Sequence, residues 1–353
     1  MGLIARSLCA LLVAVGLGGA VMVAQDQEAP TPTLHVYANL IQIPVLVLTS
    51  SLGKVAPIAS NKFSISLDDG PLFRATHVRL EGDDPISLAI FLDTGEAQEG
   101  LLTKIDEAIA GLAPGSLRTQ DQVFVFAMNC TQLKIVKHVR PEHESLKEAV
   151  DNALQVWTSR AGEKHRDKCP ANQLPHLRSA MMYAMRTLAN EPGRRVMLAV
   201  TDGNDGGGAH LWNEVRKFAG SSGIAIFGMT YESGEMGWSM RWAADDNDAF
   251  RWMCESTGGL KFQVTKANVG QRMTQFVTEL RGRYIVEFPR PYDTTGGEHD
   301  LVVKIERSRY FVRPAGISVP IPDKATLADP MTVPSDPKLA PELGTRRVVS
   351  QMQ

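Results

Sequence analysis

The chain has 353 residues, 44% of them hydrophobic and 22% charged, with a formal net charge of −2. Such a composition describes a globular protein of ordinary type, long enough for two domains at roughly 150 residues each. The near-neutral balance gives no electrostatic basis for binding nucleic acid or an anionic membrane surface.

Arg6 is followed by an uncharged stretch from Ser7 to Ala24. A basic residue ahead of an apolar run is the layout of a secretory signal, and Gly18-x-Ala20 supplies a small-x-small cleavage point. Residues 1–24 therefore read as a signal peptide, or as an uncleaved N-terminal anchor, since a run of about 17 residues just crosses a bilayer. Either way the protein is expected outside the cytoplasm. Three cysteines follow the leader: Cys130, Cys169 and Cys254. An odd number in an oxidising compartment allows one internal bridge and one remaining thiol.

Residues 34–83 predict a β segment, with strands at Leu40–Leu48, Phe63–Leu67 and Thr76–Leu80. Between 84 and 282 strands and helices alternate. Ile86 to Leu92 (ISLAIFL) is too continuously apolar for a half-solvated strand and suits a central parallel strand covered on both faces. Leu101, Leu102, Ile105, Ala108, Ile109 and Leu112 form a helical stripe that ends at Pro114-Gly115. Val123 to Met128 is a second buried strand, and Leu133 to Val136 is its hairpin partner. Helical stripes follow at Leu146 to Trp157 and at Leu177 to Leu188. Val196 to Val200, running into Thr201-Asp202-Gly203, and Ile224 to Gly228 are further buried strands. Helical patterns return at Phe250 to Glu255 and at Val269 to Leu280. Alternation of this kind predicts a doubly wound α/β fold, Rossmann-like, with a mostly parallel sheet and helices on both faces.

Residues 283–320 return to β structure, with strands at Tyr284–Phe288, Leu301–Ile305 and Tyr310–Val312. Neither flank alone has enough strands to bury a face. The two are expected to form one small β domain into which the α/β unit is inserted. Residues 321–353 are rich in proline and polar side chains without periodicity, the composition of a disordered tail.

In doubly wound sheets, ligands meet the carboxyl ends of the strands. Asp93 and Asp202 each follow a buried strand directly, so both are expected on that rim. Two roles stand for the pair: ligands to a cation, or acceptors for backbone N–H groups at the next turn. Cys130 ends a strand and Cys169 precedes the helix Leu177–Leu188, which places both near the rim. A Cys130–Cys169 disulfide with Cys254 reduced is one expectation, and three thiols is the other.

The order strand–Asp93, hairpin, helices, strand–Thr201-Asp202-Gly203, strand resembles a von Willebrand factor type A (VWA) domain. Within that group the chain is similar to the VWFA-related family first described from acidobacteria. Four stretches carry the resemblance. The first is Ile43-Pro44-Val45-Leu46-Val47 with Gly53-Lys54-Val55, Asn61 to Ile65 and Asp69-Gly70, and the second is Phe91-Leu92-Asp93-Thr94. The third is Ala184 to Leu188 with Glu191 to Arg195 and Thr201-Asp202-Gly203. The fourth is Glu255 to Gly259 with Leu280 to Tyr284 and Val312-Arg313-Pro314. The resemblance implies a protein-binding rim, which in adhesive members carries a divalent cation on an Asp-x-Ser-x-Ser loop, a threonine and a second aspartate. Here the loop reads Asp93-Thr94-Gly95-Glu96-Ala97, and Pro175 aligns with the threonine. Gly95, Ala97 and Pro175 carry no side-chain oxygen, so Asp93 and Asp202 remain, with Glu96 as a further acid. A small hard cation such as Mg²⁺ wants a near-octahedral set of oxygens. The expectation is therefore no cofactor and a degenerate metal site.

Other clusters are weaker. His165, Cys169 and His176 share a polar stretch, but their spacing matches no common zinc pattern. Gly206-Gly207-Gly208 lacks the Gly-Lys-Ser/Thr of a phosphate loop. Trp238 to Trp252, with the acidic run Asp245 to Asp248, is either an aromatic binding lip or a set of aromatics tucked against a helix. No hydrolase motif occurs. The function read from the sequence is an exported, non-enzymatic protein-binding module. A metal-dependent adhesin is the alternative, and an envelope hydrolase a third class.

Overall fold

A computed structural model describes residues 40–94, 101–129, 132–158, 176–203, 205, 210–231, 249–290, 297–315, 317–319 and 342–344. The leader, Gly95, Glu96, Ala97, Cys130, His165, Cys169, Pro175, the glycine run 206–208, Trp238 and the acidic run 245–248 lie outside them. Among the described residues no helix is long and apolar enough to cross a membrane.

Strands β1 (Leu40–Leu48), β2 (Phe63–Leu67), β3 (Phe73–Arg74) and β4 (His77–Leu80) come first. The middle of the chain runs β5 (Ile86–Asp93), α1 (Leu101–Ala110), β6 (Gln122–Asn129), β7 (Gln132–Val139), α2 (His143–Thr158) and α3 (Leu177–Leu188). It continues through β8 (Arg194–Thr201), α4 (Trp212–Ser221), β9 (Ile224–Thr230), α5 (Ala249–Ser256), β10 (Lys261–Gln263) and α6 (Val269–Arg281). Five strands follow: β11 (Tyr284–Pro289), β12 (Gly297–His299), β13 (Leu301–Ile305), β14 (Phe311–Pro314) and β15 (Ile317–Val319).

The middle elements build a six-stranded sheet in the order β10-β9-β8-β5-β6-β7. All neighbours are parallel except β7, which returns antiparallel to β6. Every residue of β5 and β9 is buried, which explains why their sequences show no alternation. Successive side chains of a strand point to opposite faces. Leu88, Ile90 and Leu92 of β5 enter one core with residues of α1, α2 and α6, while Ala89 and Phe91 enter another with α3, α4 and α5. Every helix but α4, whose stripe the sequence reading did not pick out, is held by an apolar stripe legible in its sequence, at about 1.5–3 kcal/mol for each large side chain fully buried.

The flanks meet each other through β pairing. β1 lies between β11 and β14, and β4 extends the other edge of β11. A second sheet sets β13 against β2, with β3 beyond, and β12 pairs with β15 in a short ribbon. One core collects Ile43, Val45, Phe63, Ile65 and Leu67 from the first flank and Val286, Phe288, Val303 and Ile305 from the second. β3, β12 and β15 have too few residues for a sequence period to reveal them. Within the tail, where composition suggested no order, Glu342–Gly344 lie against the turn after β2, and Gly344 N donates to Leu67 O at 3.1 Å.

The flanks join the α/β unit at the amino ends of its strands. Arg283 donates to both carboxylate oxygens of Glu81, at 2.7 and 2.8 Å, and both side chains are 1% exposed. Beside them Arg281 pairs with Asp121 and donates to Asp84 O at 2.8 Å, while Asp121 accepts the Ile86 N–H at 3.0 Å. The first residue of β5 and the last turn of α6 are thereby tied to the strands outside the unit.

Candidate functional site

The strand order reverses between β5 and β8: from β5 the chain moves to β6 and β7 on one side, then to β8 and β9 on the other. Helices leave such a point in opposite directions and open a crevice at the carboxyl ends of the two strands. Asp93 ends β5 and Thr201 ends β8, one step beyond the register pair Leu92–Val200. Parallel neighbours in register present side chains on the same face, so the two residues meet. Thr201 Oγ1 donates to Asp93 Oδ2 at 2.8 Å and accepts the Gly203 N–H at 3.0 Å.

The surrounding groups close this junction. Tyr231, just past β9, donates its hydroxyl to Asp93 O at 2.6 Å, and its own N–H reaches Thr201 O at 3.3 Å. Tyr231 thus bridges the ends of β9, β8 and β5. On the other side of β5, Thr94 bonds Met128 O through both N and Oγ1, each at 2.9 Å. Asp93 is 3% exposed, Tyr231 3% and Thr201 0%. Gly203 has φ +80°, a left-handed conformation that suits glycine and turns the chain away from the strand end. Asp202 is half-buried beside it.

Sequence reasoning placed Asp93 and Asp202 at the rim, and the structure ends β5 and β8 there. The turn after Asp93, whose backbone N–H groups were expected as donors, lies outside the described residues; among those described, the Thr201 hydroxyl on the neighbouring strand donates to Asp93. The threonine expected from the family pattern was sought at Pro175, outside the described residues. Thr201 was quoted as part of Thr-Asp-Gly without a role, because its proximity to Asp93 follows from strand order, which one sequence does not fix. Tyr231 was missed for the same reason.

Among the described residues, the donor set falls short of the near-octahedral oxygens that a small hard cation wants. Asp93 and Asp202 supply carboxylates, but the described hydroxyl beside them, Thr201, is engaged on both sides. Gly95 and Ala97, outside the described residues, carry no side-chain oxygen. Among the described residues no group of three or more His, Cys, Asp or Glu is placed to hold a metal ion.

Farther along the rim, Asp205 caps the start of α3. It pairs with the Arg178 guanidinium and accepts the Arg178 N–H at 3.4 Å. A carboxylate there is favoured by the helix dipole. The Arg178 guanidinium also lies 5.9 Å from the Trp212 ring centre, and Trp212 packs edge-on against Phe250. His176 is exposed immediately before α3. Trp252, 51% exposed on α5, carries Arg216 over its ring at 5.1 Å. Cys254 is buried within α5.

No protein-family model matches the sequence, and none of the curated proteins compared with it matches either.

Proposed function

We propose that this chain is an exported cell-envelope protein with a VWA-like, doubly wound α/β domain that binds a protein partner at the carboxyl rim, without a metal-ion-dependent adhesion site and without catalysis. The strand order β7-β6-β5-β8-β9-β10 with one antiparallel edge supports the VWA-like part of this reading. Export rests on Arg6 and the uncharged run to Ala24. The observation that carries the cation-free rim is the bond from Thr201 to Asp93, which engages the leading acid inside the protein. A hydrolase would need an accessible nucleophile, and the hydroxyl–carboxylate pair at the rim is buried. The competing reading, a cation-dependent adhesin, draws on Asp93, Asp202 and Glu96.

Site-specific photo-crosslinking in intact cells tests the proposal. Leu211, 62% exposed at the rim end of α4, and Leu72, 54% exposed in the β flank, are the two probe positions. The rim probe should give one discrete adduct that survives a chelator. An adduct from Leu72 alone, or one abolished by chelation, would overturn it.

A further inference from the structure

The tail segment Glu342–Gly344 seats on a prebuilt turn of the β flank. Asp68 and Asp69 have φ of +48° and +62°, and Gly70 N donates to Leu67 O at 2.8 Å. Two successive left-handed residues form the tight turn that suits a twisted hairpin, but at non-glycine positions they cost energy. The turn is held by its surroundings. Asp68 Oδ2 meets His299 Nδ1 at 2.7 Å, Asp68 Oδ1 accepts the Asp300 N–H at 2.8 Å, and Ser66 Oγ donates to Gly70 O at 2.7 Å. Its shape therefore does not depend on the tail.

Against this turn the tail makes three kinds of contact. Leu343 packs on the core that contains Phe63, Ile65 and Leu67. Gly344 N donates to Leu67 O at 3.1 Å, so that carbonyl serves both the turn and the tail. The two glycines lie back to back. A Cβ on Gly70 would fall 2.7 Å from Gly344 N and 2.8 Å from Glu342 O, and a Cβ on Gly344 would overlap Asp68 O and Gly70 N. A side chain at either position would overlap the backbone of the other segment, so the tail could not keep its seat.

We propose that this turn and the apolar edge beside it form a docking site for an extended peptide bearing a leucine-sized residue followed by glycine, and that the chain's own Leu343-Gly344 fills it. Specificity has two sources: apolar contact with the flank core for the first residue and steric exclusion of any Cβ at the second. A segment tethered to its site enjoys an effective concentration on the order of millimolar. A partner's peptide must therefore displace the tail, which makes the tail a built-in competitor. The site is separate from the carboxyl rim and does not depend on the reading of that rim.

The test uses the full chain and a fluorescent peptide spanning Lys338 to Val348, followed by anisotropy. Gly344→Val in the protein should unseat the tail and raise affinity for the peptide by about ten-fold or more over the unaltered chain, whose site is filled. Leu343→Ser, which places no strain on the backbone, should open the site in the same way. A peptide that itself carries Gly344→Val should bind none of these proteins. Equal binding to all chains, no binding to any, or equal binding of the substituted peptide would overturn the proposal. An unaltered chain that is dimeric in solution and becomes monomeric on Gly344→Val would also overturn it, by placing the segment in a second copy.

Discussion

The Thr201 hydroxyl donates to the Asp93 carboxylate at 2.8 Å across the boundary between β8 and β5, where the strand order of the sheet reverses. A buried carboxylate that loses a donor bears a desolvation cost without its compensation. Thr201→Val keeps the shape and removes the donor. It should lower stability by about 1.5–3 kcal/mol, the range for hydrogen bonds to charged groups. Thr201→Ser should stay close to the original. Urea denaturation at neutral pH measures both, and a valine variant as stable as the parent would show that the bond is incidental.

Glu81 and Arg283 join the strand flanks to the α/β unit through a fully buried bidentate pair. Removing one partner strands the other charge, so Glu81→Ala should cost about 3–5 kcal/mol. The double replacement Glu81→Leu with Arg283→Met should recover most of that loss, since an apolar pair has no charge to desolvate. Denaturation of the two single variants and the double variant gives the coupling directly. A double variant no better than Glu81→Ala would mean that packing, rather than charge, dominates the junction.

Glu279 on α6 is 7% exposed. Burial pushes its carboxyl up to about 7, against smaller lowering effects from the Gln275 amide and the Arg272 charge. The folded chain thus binds this proton more tightly than the unfolded chain, whose glutamate titrates near 4.5. The stability contributed by the neutral acid is full below about pH 4.5 and is lost as pH rises through about 7. Glu279→Gln removes the titration. Relative to the parent it should gain on the order of 2 kcal/mol between pH 5 and pH 8. Thermal melts across that window report the difference, and parallel pH profiles would contradict the assignment.

Export makes a separate claim. The mature protein should begin within the uncharged run Ser7 to Ala24 or just after it, read by N-terminal sequencing of the envelope fraction. A cytoplasmic pool with intact Met1 as the main species would remove the envelope setting.

Most of the secondary structure was legible because burial writes itself into sequence at the helical and strand periods. Ile86 to Leu92 and Ile224 to Gly228 are unbroken apolar runs because both faces of their sheet are covered, and the stripe Leu177 to Leu188 faces one core along its whole length. β10, with three residues, and β3, with two, are too short to carry a period. The acids of the rim were legible as residues following buried strands. Their partners were not, because Thr201 and Tyr231 reach Asp93 only through the lateral order of strands. The seat of Leu343 escaped notice for a related reason: a single leucine in a proline-rich tail has no pattern, and the core it packs against is built from residues earlier in the chain.

The central claim is that Asp93 is an acceptor inside the protein and that the rim works without a cation. Isothermal titration of Mg²⁺ and of Mn²⁺ into the purified full chain, with Asp93→Ala beside it, tests this most directly. With two carboxylates and an engaged hydroxyl in place of a near-octahedral oxygen set, the expected result is no saturable binding and no difference between the two proteins. A micromolar affinity for either ion, lost in Asp93→Ala, would contradict the account and make the protein a cation-dependent adhesin.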